Sequence, residues 1–225
     1  KVKVLNSCAK ELEEDLTNLS KWSNDQNLLF NDEKTKFMIF STPQMSTKHN
    51  LVDKTNLISY NNNPIERTEN ARILGIQFQQ NLKWNDHINK LIKSSCATLR
   101  TLRLFKRFTP FSVRKTLAEC LILSKINYCN VVFGQLPDYL LNRLQRTQTT
   151  AAGYVLGKYA NITDVINLHW LPIKENIEFN VSKLTYNALH DANWPSYIKI
   201  DDAIFESTKM RTINKSNTKT FNDQV

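Results

Sequence analysis

Two periodicities divide this 225-residue sequence, and together they predict an α+β fold. Short β-favouring runs crowd residues 35–79, while apolar residues recur at three- and four-residue steps from residue 86 onward. Only 4 Gly and 6 Pro interrupt the chain, so most of it is expected to be regular. Strands carry a period of two and helices a stripe repeating every 3.6 residues. The expected architecture is a partial sheet portion, one helix plus short antiparallel strands and a hairpin, followed by a mainly helical bundle.

Taken in order, residues 8–27 read as a helix, because Leu12, Leu16, Leu19 and Trp22 fall on one stripe and Asn27 closes it. Thr35–Ser41 reads as a strand after the polar turn Asn31-Asp32-Glu33, and residues 42–54, with Pro43, as a loop. Asn56–Tyr60 and Pro64–Thr68 read as strands split by a turn at Asn61-Asn62-Asn63, since Asn tolerates positive φ. Ala71–Gln79 reads as a further strand with Gly75 in its interior, a bulge or a close backbone approach.

The helical part begins with a strongly amphipathic helix over 86–107. Thr109-Pro110, an N-cap followed by proline at the first helical position, opens a second helix to about Asn127. Pro137-Asp138 opens a third, to about Leu156 before Gly157, and 162–192 supplies one or two more, broken at Leu171-Pro172. From about Ile200 the chain is polar and non-periodic, and no fixed structure is expected there. The expected division is 1–80, 84–160, 161–198 and a polar tail, 199–225.

Composition narrows the function classes. Cys8, Cys96, Cys120 and Cys129 stand at no metal or disulfide spacing, and His49, His87, His169 and His190 are equally scattered. Reduced thiols in an intracellular protein are expected, with nucleus and cytoplasm left open. No run has the length of a membrane span, and no membrane partner is expected. The chain starts at Lys1 within a helical pattern, which suggests a fragment.

The net charge of +9 is confined to one stretch. Residues 1–80 hold 10 basic and 10 acidic side chains, residues 151–225 hold 8 and 8, and residues 81–150 hold 12 against 3. A concentrated excess of this kind is what polyanions select. Within the 86–107 helix, Ile88, Leu91, Leu99, Leu102 and Phe105 fall on one side at about 100° per residue, and Lys93, Arg100, Arg103 and Arg107 on the other. Cations at such spacing can follow phosphates along a groove. A solvated face is the competing reading; against it, no acidic residue lies between Asp86 and Phe108, whereas soluble faces mix signs. No residue here is suited to reading base edges.

Three stretches carry a family resemblance. Leu19–Phe40 (LSKWSNDQNLLFNDEKTKFMIF) has Trp22, Asn27, Leu28, Asn31, Lys34 and Thr35 at the positions of a helix–turn–strand pattern. Ala71–Ile88 (ARILGIQFQQNLKWNDHI) has Leu74, Gly75, Leu82, Trp84, His87 and Ile88 in order. Leu168–Ile198 has His169, Trp170, Leu171, Pro172, Ile177, Phe179, Leu184, Tyr186, Leu189, His190, Pro195, Ser196 and Tyr197. Together they resemble the reverse transcriptase of non-LTR (LINE-type, jockey-like) retrotransposons, from the end of the palm through the thumb, over about residues 8–198. Departures are Gln79 for Asp, Asn176 for Arg, Asn180 for Lys and Asp191 for Gly, and the two lost basic residues, at 176 and 180, point to a decayed copy or a divergent lineage.

The resemblance implies a fragment of an RNA-directed DNA polymerase gripping template–primer duplex. It implies that Lys34 meets the pyrophosphate leaving group, with a plain surface lysine as the equal alternative. It places Leu74-Gly75 on the strand that holds the primer end, where glycine lets the backbone approach closely. The aspartates that hold two Mg²⁺ in the intact family enzyme precede this segment, so this chain carries no cofactor site of its own and is not expected to polymerise alone. Asp201-Asp202, preceded by Lys199-Ile200, reads as an ordinary acidic pair. Trp22, Trp84, Trp170 and Trp194 are expected to pack rather than stack on bases. The implied partners are RNA–DNA or DNA duplex, through phosphates, and the N-terminal part of the polymerase. The alternative is a non-enzymatic interaction protein, a decayed or domesticated remnant.

Overall fold

The computed structural model describes residues 2–28, 31, 34–51, 57–60, 63–190 and 194–195. The Asp201-Asp202 pair, the polar tail and two of the three turn asparagines, Asn61 and Asn62, lie outside the described residues. The chain mixes helix and sheet, and its contacts divide it into two compact units. The first comprises residues up to Leu104 together with Asp138–Leu144; the second comprises Phe105–Pro137 and the residues from Gln145 onward.

The first unit opens with α1 (Val2–Asp25), six residues longer at its start than the leucine stripe alone predicts. Asn27 ends it at φ 57°, and Asn27 and Leu28 donate to the carbonyls of Asn24 (3.0 Å) and Ser23 (2.8 Å). That pair of bonds is a Schellman closure, with Asn taking the left-handed position. The Trp22 indole does not pack as expected: it is 56% exposed.

The sheet content is smaller than predicted. β1 (Lys36–Phe37) holds two residues of the seven-residue run, and 42–54 is not simply a loop, because α2 (Pro43–Lys48) lies within it. Thr42 caps α2 by accepting from the Met45 N–H (3.3 Å), with Pro43 at the first position. β2 (Ser59–Tyr60) pairs antiparallel with β3 (Asn63–Pro64), and β1 pairs with β4 (Glu66–Arg67) in parallel, against the expectation of antiparallel strands throughout. A small core of Ala9, Ile58 and Ile65, with Leu16 and Phe37 against it, joins α1 to these strands. Glu13 adds a polar tie, accepting from the backbone N–H and the hydroxyl of Ser59, both at 2.7 Å.

The 71–79 run is not one strand. β5 (Asn70–Ile73) and β6 (Ile76–Gln79) form a hairpin whose two-residue turn is Leu74-Gly75, at φ 47° and 91°. Positive φ at both positions marks a type I′ turn, whose twist matches the flanking strands. Gly75 is therefore required by the turn and is not a strand bulge. Leu74 sits where asparagine is the comfortable residue, and it is 84% exposed. Leu74→Asn is expected to raise the stability of this unit by about 0.5–1 kcal/mol, measured by urea denaturation; a decrease would show that the leucine side chain holds the tip.

After the hairpin comes α3 (Asn85–Leu104), which buries Ile88, Leu99 and Leu102. It stops three residues short of the predicted end. Phe105 lies beyond it and is exposed, so it does not join the apolar stripe.

In the second unit a 3₁₀ turn (Lys106–Phe108) leads to α4 (Phe111–Ala118), a π turn (Glu119–Leu123) and α5 (Ser124–Asn127). Thr109 does not cap α4, as Pro110 takes the cap position; the Thr109 hydroxyl instead donates back to the carbonyls of Phe105 and Lys106. Within the π turn the Ser124 N–H reaches the carbonyl of Glu119, five residues back. A second 3₁₀ turn (Asn130–Phe133) precedes α6 (Asp138–Leu156), which belongs to this unit from Gln145 onward and whose C-cap is Gly157 at φ 78°. α7 (Ile162–Asn167) carries a capping box between Asn161 and Asp164, and α8 (Ile173–His190) follows Pro172. Ala118, Ile122, Ile126, Phe133, Ala151, Val155, Val165, Trp170, Ile173 and Ile177 are among the buried residues of this unit. Trp170 packs as expected, and its indole N–H donates to Glu119 (2.8 Å).

Candidate nucleic-acid interface

α3 is positioned by the hairpin before it. The Gln77 backbone N–H donates to His87 Nδ1 (3.4 Å), Lys90 Nζ donates to Gln77 Oε1 (3.4 Å), and Gln79 Nε2 donates to Asp86 Oδ2 (2.7 Å). Trp84 packs edge-on against Phe78, with ring centres 5.5 Å apart, and also meets His87. At the same end Tyr139 donates to Asn85 Oδ1 (2.5 Å). The first two turns of α3 are thus fixed to β6, and the rest of the helix extends from that anchor. Gln79 supplies one of the ties.

Lys93, Arg100 and Arg103 lie on α3, and all three are exposed. Among the described residues none of the three forms an ion pair, although Lys36, Lys115 and Lys158 each do. From Lys93 to Arg103 the helix axis advances about 15 Å, the length of about four base steps. Asp86 is the helix's single carboxylate, and Gln79 engages it at the far end. The outer face is left as a positive strip with neutral neighbours.

The other predicted site residues are placed differently. Arg107 is exposed but not on α3; it belongs to the 3₁₀ turn of the second unit, so the stripe on this helix has three members, not four. Leu74 and Gly75 form the hairpin tip in the same unit as the stripe. Lys34 is exposed on a separate turn, where its backbone N–H donates to Asn31 Oδ1 (3.0 Å), and Thr35 also folds back onto the Asn31 carbonyl (3.1 Å). Among the described residues no three His, Cys, Asp or Glu side chains gather into a metal-holding group, so no step through Mg²⁺ is derived from them. No described helix is long and apolar enough to cross a membrane.

His87 is a working part of this frame that the sequence pattern alone did not single out as such. Burial, with a smaller contribution from the charge of Lys90, holds its pKa below the ordinary 6.5. The bond from Gln77 needs Nδ1 unprotonated, which agrees in sign. Because the folded state resists protonation and the unfolded state does not, the stabilisation is full above about pH 6.5 and falls as pH drops below it. Thermal unfolding of the first unit should therefore shift to lower temperature between pH 7 and pH 5. His87→Gln should remove most of that dependence, and an unchanged pH slope in the variant would place the titration elsewhere.

No protein-family model, no curated protein and no solved structure matches this chain.

Proposed function

We propose that this chain is the gripping portion of a non-LTR retrotransposon reverse transcriptase, the end of its palm and its thumb, and that it holds a template–primer duplex by its phosphates. The supporting observation is the charge excess confined to residues 81–150 together with three exposed cations along α3 that form no ion pair among the described residues. Cations facing solvent without carboxylate partners are what a phosphate backbone engages, and every exchanged counterion adds salt dependence. An exposed hairpin tip with a leucine in left-handed conformation, in the same unit, fits a segment shaped for a contact rather than for stability alone. In this reading the tip approaches the primer end, Lys34 faces the leaving pyrophosphate, and the carboxylates that bind Mg²⁺ come from the remainder of the polymerase.

The test is a salt titration of binding to an RNA–DNA hybrid. Engagement of three or more phosphates gives a log–log slope of about −2.7 or steeper, with little dependence on base sequence. A flat titration, or binding that strengthens as salt rises, would instead support the interaction-protein alternative.

A further inference from the structure

Phe105, Phe108 and Phe111 are 56%, 84% and 49% exposed, three rings in solvent within seven residues. Single exposed apolar side chains are ordinary, but a cluster calls for an occupant. Basic residues interleave with and follow these rings in sequence, Lys106, Arg107, Arg114 and Lys115; Lys115 pairs with Glu119 (3.8 Å) and Arg114 is half-buried, whereas Arg107 is exposed. The whole segment belongs to the second unit, apart from the α3 strip.

The backbone beneath the rings is tied down. The Phe108 N–H donates to the Phe105 carbonyl (3.0 Å), and the Thr109 hydroxyl bonds to the carbonyls of Phe105 (3.2 Å) and Lys106 (3.3 Å). Pro110 then fixes the start of α4, where the Arg114 N–H returns to its carbonyl (3.0 Å). A 3₁₀ turn repeats every three residues, so Phe105 and Phe108 leave the chain on the same side, about 6 Å apart along the axis. That is close to twice the ~3.4 Å step of stacked bases. Lys106 lies over Gly157 at the end of α6, a favourable place for a cation, which leaves Arg107 as the exposed charge between the two rings.

Three kinds of occupant take an exposed aromatic cluster. A protein-interface core is depleted of lysine, whereas Lys106 stands between these rings in sequence. A membrane surface selects the continuous apolar face of an amphipathic helix, whereas these rings sit on a tight turn and the first residue of a short helix. Unpaired bases on a phosphate backbone select rings interleaved with cations. We propose that Phe105–Phe111 is a platform for single-stranded nucleic acid: Phe105 and Phe108 stack on unpaired bases, Phe111 extends the surface, and Arg107 meets the phosphates. The platform belongs to the second unit and the duplex-gripping strip to the first, and each is tested by its own variants.

The experiment compares a labelled 20-nucleotide oligo(U) and oligo(dT) with a blunt RNA–DNA hybrid, by fluorescence anisotropy on the full chain. Phe105→Ala with Phe108→Ala should weaken single-strand binding about tenfold for each ring and change hybrid binding less than about twofold. Phe105→Leu with Phe108→Leu should behave like the alanine pair, because leucine keeps the apolar area and loses the π face. Phe108→Trp should bind at least as well, with indole emission quenched on adding oligonucleotide. Single-strand affinity retained by the leucine pair overturns the proposal in favour of apolar docking. Equal losses on single strand and hybrid overturn it as well. So does aromatic-dependent binding to phosphatidylserine vesicles or self-association in sedimentation, when single-strand affinity is unmoved. If Arg100→Glu with Arg103→Glu leaves hybrid binding unchanged while the phenylalanine variants lose single-strand binding, the duplex reading alone has failed.

Discussion

Arg100→Glu with Arg103→Glu should weaken hybrid-duplex binding by about 100-fold at 0.1 M salt and flatten the salt dependence by about 1.8 log units per log unit. Both side chains are exposed on α3 and, among the described residues, unpaired, so reversing them breaks no ion pair. Surface substitutions of this kind change stability by about 0.5 kcal/mol or less, and the melting temperature is the built-in control. Lys93→Glu alone should remove about half a log unit to one unit of slope. The salt slope is the sharper readout, since it counts phosphates engaged whereas affinity alone mixes contacts with steering. Unchanged slope and affinity in the double variant would make the strip an ordinary solvated face.

Phe133→Ala should cost the second unit about 3–5 kcal/mol. Phe133 is 1% exposed and ends the 3₁₀ turn that leads toward α6. The turn cannot easily close the void, because its far side is already occupied. A Cβ at Gly134 would stand 3.2 Å from the Val131 carbonyl and 3.4 Å from Ile177 Cγ2 on α8. A loss of that size is a large part of the 5–15 kcal/mol typical of a domain. Thermal unfolding should fall by about 15 °C or more, and a shift under about 4 °C would mean the site collapses around alanine.

How much of this was legible in the sequence depends on the strength of each local signal. Asn27, Gly157 and Pro172 mark helix boundaries where left-handed or helix-breaking residues leave the backbone little choice. α2 was written in the same Thr-Pro code read at Thr109-Pro110, yet it is real at residue 42 and absent at 109, where the hydroxyl turns back to close the 3₁₀ turn instead. The Leu74-Gly75 hairpin was hidden because leucine is not a turn residue, and only the pairing of Ile73 with Ile76 exposes it. The parallel pairing of β1 with β4 is non-local and leaves no mark on either two-residue strand. The positive strip was visible because charge needs no tertiary information, but its end was not: α3 stops at Leu104, which removes Arg107 from it. Asn176 and Asn180 have a physical role that the sequence did not show. Asn130 is buried, and its amide donates to Asn176 (2.8 Å) while accepting from Asn180 (3.0 Å), so the three amides close a network that charged side chains would not satisfy in the same way.

The π turn at Glu119–Leu123 carries a consequence for chain length. A helix with one i→i−5 turn holds one residue more than its regular equivalent, so the segments before and after it are already in the phase that a shorter helix would have. Deleting Cys120 or Leu121, both exposed, should convert the bulge to a plain helical turn and leave Ala118 on one side and Ile122 and Ile126 on the other still facing the core. The same deletion at Val113 would rotate the flanking segments relative to each other by about 100° and pull Ala118 out of register. Among homologous chains, a one-residue gap is therefore expected to fall within this turn.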